Sequence, residues 1–135
     1  MARSTGRGFT LVECLTVCAV VAVLATVAWP AWRDHSLRAA RLDAVAALTR
    51  LQGVQEQYRS LHGLYAAELS VLRGVAPVSD QGRYRLALER TGPESYRATA
   101  LAQGVQAGDH ECGALTLDVS LGFATPGPGP QCWNR

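Results

Sequence analysis

A chain of 135 residues holds one modest domain and an appendage, and its charge gives no sign of a polyanion partner: 13 basic residues, all arginine, face 11 acids. Arg3 and Arg7 supply the whole excess of +2, and beyond residue 8 the balance is 11 against 11. The first 32 residues are committed to something other than a soluble core. That leaves roughly a hundred residues, a size at which a covalent staple helps.

In chain order, residues 1–8 are short, polar and basic. From Cys14 to Trp32 only Thr16, Thr26 and Pro30 fall outside the strongly apolar set. At about 1.5 Å per residue this run spans roughly 28 Å, close to the thickness of a bilayer core. Trp29 and Trp32 fall at its far end, where amphipathic rings favour the membrane interface. Ala19, Ala22, Ala25 and Ala28 recur every three residues and suit close helix approach.

The helical pattern continues. Leu37, Ala40, Ala44, Leu48, Leu51, Gln55, Tyr58 and Leu61 recur at spacings of three and four, while Arg38, Arg41, Asp43, Arg50, Glu56 and Arg59 fall largely elsewhere on the wheel. The spacing predicts one helix from about Phe9 to His62, with Gly63 as its stop and Pro30 as a place to kink or locally melt. "GRYRLALER" (82–90), "SYRATALAQ" (95–103) and "ALTLDVSL" (114–121) alternate, which predicts three antiparallel strands with one polar face and one face for the helix. The fold class is α+β. "TPGPGP" (125–130) reads as a rigid irregular loop.

Cys112 and Cys132 flank that loop and read as a disulfide closing it, which stabilises by roughly 3 kcal/mol on a loop-entropy argument and implies an oxidising compartment. Cys14 and Cys18, four residues apart without a further ligand, make a poor metal site and are assigned no role. Asp109-His110-Glu111 reads as a solvated loop, because three successive residues on regular backbone do not converge on one ion. His35 and His62 read as structural or exposed. Catalytic constellations and phosphate-cradling loops are not found, so no enzyme, cofactor or metal is expected. Arg83 and Arg85 form a small basic patch if they share a face, a candidate contact for DNA; alternation puts Tyr84 on the opposite face, and arginines merely solvated on the sheet are the simpler reading.

Glu13 is the exception in the apolar run. An acid near the start of such a segment weakens insertion and asks for a partner, and the next nineteen residues offer no cation. A new amino terminus at Phe9 of a neighbouring copy is such a cation. Here "RGFTLVE" closely resembles the class III signal of type IV pilins. "QEQYRSLHGLYA", the short sheet, "DHECGALTLDVSLG" and the terminal "CW" resemble the PilE-type minor pilins.

The resemblance implies the type IV pilin fold, a long N-terminal helix packed on a small antiparallel sheet. It implies a leader at 1–8, cleavage by a prepilin peptidase between Gly8 and Phe9, N-methylation of Phe9, and Glu13 as the residue that neutralises the neighbouring amine. Residues 9–32 are then the transmembrane and assembly half of the helix, and 33–135 the periplasmic globular domain. That domain holds the helix at 33–62, the sheet at about 82–121 and a D-region at 112–132. Partners are other major and minor pilins, the peptidase, the inner-membrane assembly platform and, before assembly, the lipid bilayer. The location is the bacterial inner membrane as a single-pass protein, then the cell-surface pilus; Arg33, Arg38 and Arg41 blunt the positive-inside bias, so the disulfide is what puts the C-terminal domain outside. Motility, adhesion and DNA uptake follow from the fibre. The alternatives are a type II secretion pseudopilin, a DNA-binding minor pilin for competence, and a secreted binding domain cut near Ala28 by ordinary signal peptidase.

Overall fold

A computed structural model describes residues 9–133; the expected leader and Gly8 lie outside the described residues. The helix α1 runs unbroken over Leu11–His62, with Pro30 inside it. The described residues divide into two units between His35 and Ser36.

The N-terminal unit is helical from Leu11 onward. Thr10 caps it, its Oγ1 accepting from the Glu13 backbone N–H at 3.3 Å. Inside the segment the Thr16 and Thr26 hydroxyls donate to the carbonyls of Glu13 and Val23, so neither needs water.

In the second unit a four-stranded antiparallel sheet has the order β1 (Tyr84–Gly92), β2 (Ser95–Ala102), β3 (Ala114–Ser120), β4 (Phe123–Gly127). The three expected strands are present. The fourth corrects the expectation of an irregular loop: Thr125, Pro126 and Gly127 pair with Asp118, Leu117 and Thr116. Proline is tolerated there because β4 is an edge strand, where a missing donor breaks no ladder. The sheet therefore extends to residue 127 and not 121.

One face of the sheet packs on the helix. Ala44, Leu48 and Leu51 from the helix meet Tyr84, Leu86, Tyr96, Ala98, Ala100, Leu115, Leu117 and Val119, all buried. The inward stripe stops short of the sequence expectation, since Leu61 is 74% exposed and Tyr58 only half-buried. Gln55 is the last buried residue of the helix, and beyond it Arg59 reaches the sheet turns by its charge, pairing with Glu94 at 3.8 Å.

Polar side chains buried along the helix each hold a loop. Gln55 donates to the Ala66 carbonyl and accepts from the Ala66 N–H. Asp43 accepts from the Ser79 hydroxyl and the Gln81 N–H. Arg41 reaches Asp109. Arg41 and Asp43 were expected on the outer side of the wheel, and Asp109 in a solvated loop; all three are buried. A charge enters the interior when its partner comes with it, and the partners lie 68 and 36 residues away.

Candidate functional site

Two regions hold the candidate functional residues. The first is the N-terminal unit, where Phe9, Leu11, Val12, Leu15 and the apolar residues onward to Trp32 are exposed. This stretch is long and apolar enough to cross a membrane by length and composition. A helix apolar on all sides finds no partner in its own chain and needs lipid or other helices. Glu13 sits in the first turn, where the helix dipole favours a negative charge. Thr10-Leu11-Val12-Glu13 has the spacing of a capping box, a local signal that reasoning from the apolar run alone passes over. The carboxylate is thus stabilised by its own helix end, yet it has no ion-pair partner among the described residues. Cys14 and Cys18 are free and exposed on this segment.

The second region is the outer face of the sheet. Arg83 and Arg85 are exposed, with Tyr84 fully buried between them, so both point away from the core. Neither makes an ion pair among the described residues. Arg83 borders a cleft of about 620 Å³ shared with Ser36, Leu37, Gly82, Gln103 and Val105. The Arg83 carbonyl accepts from the Gln103 N–H at 2.8 Å, which ties two of the residues lining that cleft together.

The remaining sheet arginines are engaged. Arg97 Nε donates to Asp118 Oδ1 at 2.6 Å across the strands, which raises the Arg97 pKa and spends its charge locally. Arg90 donates to the Tyr65 carbonyl at 3.3 Å. Arg97 is ion-paired and Arg90 is hydrogen-bonded to a neutral carbonyl, which leaves Arg83 and Arg85 as the arginines on or beside these two strands without an ion pair or a side-chain hydrogen bond among the described residues.

Cys112 and Cys132 are joined in a disulfide, with Cα atoms 5.5 Å apart. The Trp133 indole donates to the Gly127 carbonyl at 2.8 Å and fastens the segment after Cys132 to β4 at Trp133. No group of three or more His, Cys, Asp or Glu placed to hold a metal occurs among the described residues.

A family model described as type IV minor pilin ComP, DNA uptake sequence receptor, matches residues 30–116. A second, the prokaryotic N-terminal methylation motif, matches residues 3–29. The chain belongs to the ComP-type family of type IV minor pilins. The fimbrial protein EcpC of Eikenella corrodens is 26% identical over 111 residues, covering 78% of this chain and 72% of that protein. The type IV major pilin protein PilE1 of Neisseria gonorrhoeae is 36% identical over 102 residues, 73% of this chain and 60% of the relative. A fimbrial protein of Neisseria meningitidis serogroup A is 33% identical over 84 residues, 62% of this chain and 49% of the relative. The chain thus spans about half to three-quarters of the length of these pilins. As a minor pilin it has the α+β pilin fold, with the disulfide at the end of its globular unit.

Proposed function

We propose that this minor pilin is cut after Gly8 by a prepilin peptidase, methylated at Phe9 and held in the inner membrane by residues 9–32. Its globular domain, 33–135 with a D-region at 112–132, faces the periplasm before the subunit passes into a type IV pilus. The observation that carries this reading is a helix apolar on all sides with one carboxylate in its first turn. That charge is costly alone in lipid and is satisfied when the new amine of a neighbouring subunit reaches Glu13. The role is structural. Its partners are major and minor pilins, the peptidase and the membrane assembly platform.

Shearing fibres from producing cells and mapping N-terminal peptides by mass spectrometry tests this. A chain beginning at N-methyl-Phe9 in the fibre fraction is the expected result. The same chain held only in the membrane indicates a pseudopilin or a subunit that primes assembly at the base. A chain beginning near Trp29 overturns the reading.

A second reading is favoured by one further observation: the family model over residues 30–116 is described as a DNA uptake sequence receptor, and two exposed arginines stand without ion pairs among the described residues, Arg83 beside a cleft and Arg85 two residues on. Duplex DNA is held chiefly through its phosphates, and guanidinium groups reach both phosphates and base edges. Arg83 and Arg85 are the contacts proposed for this chain. Replacing both by Glu is expected to lower DNA affinity at least tenfold and to abolish transformation while fibres persist. Unchanged uptake removes the DNA reading and leaves the pilus reading intact.

A further inference from the structure

The C-terminal loop is closed twice, by two different chemistries. The disulfide joins Cys112 to Cys132. Arg41, on the helix, grips the chain next to both sulfurs, at Asp109 just before the loop and at Gln131 just inside its far end. Its Nε donates to Asp109 Oδ2 at 2.7 Å and its Nη2 to Asp109 Oδ1 at 2.9 Å. Its Nη1 donates to the Gln131 carbonyl at 3.1 Å. Asp109 stands three residues before Cys112 and Gln131 one residue before Cys132.

The grip continues into the backbone on each side. The Cys112 N–H donates to the Asp109 carbonyl at 3.3 Å, and the Cys132 N–H to the Gly129 carbonyl at 3.1 Å. Gln106 adds a tie, donating to the Leu37 carbonyl on the helix at 3.0 Å, while the Asp109 N–H donates to the Gln106 carbonyl. None of these bonds involves sulfur. Arg41 and Asp109 are nearly excluded from water, so the fork is a built interior feature and not a surface pair.

We propose that Arg41 is a positioning residue for the disulfide: it gathers the two arms of the C-terminal loop so that Cys112 and Cys132 face each other before they are oxidised and stay close if they are reduced. The guanidinium is suited to this because one rigid fork serves two acceptors on separate arms, which an ammonium does poorly. The oxidant is a small-molecule disulfide. One cysteine thiolate attacks it, forms a mixed disulfide and releases one thiol; the second cysteine then attacks the protein sulfur and releases the other. The two protein thiols lose two electrons and two protons, and the oxidant leaves as two thiols. Holding the arms together raises the effective concentration of one cysteine at the other, and that quantity sets the equilibrium.

The test uses the full chain in detergent micelles, equilibrated across ratios of oxidised to reduced glutathione. Acid quenching, alkylation and peptide mapping report Cys112 and Cys132 separately from Cys14 and Cys18. The variant Arg41→Met with Asp109→Leu removes the fork without leaving a buried charge. Its effective concentration is expected to fall at least fivefold below the parent. Arg41→Lys, which keeps the charge and so guards against a variant that fails to fold, is expected to show the same loss. Leu48→Ala weakens the core without removing any of the Arg41 bonds to Asp109 and Gln131 and is expected to stay within fivefold of the parent. A fall of less than fivefold in the folded variants overturns the proposal, and so does an equal fall in Leu48→Ala.

Discussion

Arg41 carries its charge into the interior and is accepted there because Asp109 arrives with two oxygens in the right plane. The pair itself adds little to stability, since both ions gave up water to form it, but breaking it from one side leaves a bare buried carboxylate. Arg41→Met alone is expected to cost about 3–5 kcal/mol in denaturant unfolding, and the added Asp109→Leu to restore most of it. The hydrogen bonds and charge of Arg41 hold the Asp109 carboxyl below its ordinary value of 3.8. A carboxyl depressed on folding contributes stability above its unfolded pKa, and that contribution is lost as the pH falls toward the folded value. The acid limb below about pH 4 is therefore expected to be shallower in the double variant than in the parent.

Tyr96 is a contrasting residue. Its hydroxyl is buried without a hydrogen-bond partner among the described residues, and burial pushes its pKa upward. Tyr96→Phe removes the unpaired oxygen and keeps the ring against Tyr65. A gain of up to about 1 kcal/mol is expected from thermal melting.

At the scale of elements, the turn between β3 and β4 holds the clearest strain. Leu121 sits at φ +52°, a left-handed conformation that costs a branched side chain roughly 1–2 kcal/mol, and it is largely exposed. Leu121→Asn is expected to raise stability by about 0.5–1 kcal/mol in urea unfolding, since asparagine visits this region readily.

The same hairpin shows where sequence reasoning reaches its limit. The helix and β1 to β3 were legible because periods of 3.6 and 2 run through them uninterrupted. β4 was not, because Thr-Pro-Gly has turn composition and only its place at the edge makes it a strand. Glu13 was legible because a lone charge in an apolar run is a local contradiction. Arg83 and Arg85 were legible because alternation puts them on one side of a buried tyrosine. Arg41 and Asp109 were not, because a charged residue on an amphipathic helix reads as solvent-facing until its distant partner is known.

For the molecule as a whole, the two units answer to different environments. The globular unit carries its own core, ion pairs and disulfide, while the N-terminal unit has an exposed apolar surface. Glu13 belongs to the N-terminal unit and is not part of the globular core cluster. Glu13→Gln is accordingly expected to leave thermal melting of the globular unit within about 0.5 kcal/mol of the parent. Its abundance in sheared fibres, relative to the membrane pool, is expected to drop at least tenfold. Equal abundance of the variant and the parent would show that the carboxylate plays no part in joining subunits.

The borders of the sheet bear on how such subunits live side by side. β1 is covered at the start of its outer edge by the preceding segment: the Leu86 N–H donates to the Pro77 carbonyl, the Ser79 N–H to that of Tyr84, and Val78 bridges Arg85. At the other border, β4 has only five residues and Pro126 removes one of its donors. Exposed sheet edges invite backbone pairing between molecules, and that pairing is hard to reverse. Both borders here are blunted in part, which disfavours backbone pairing between the sheets of crowded copies. An assembly joined without such pairing can be taken apart one member at a time, with each member leaving as it came.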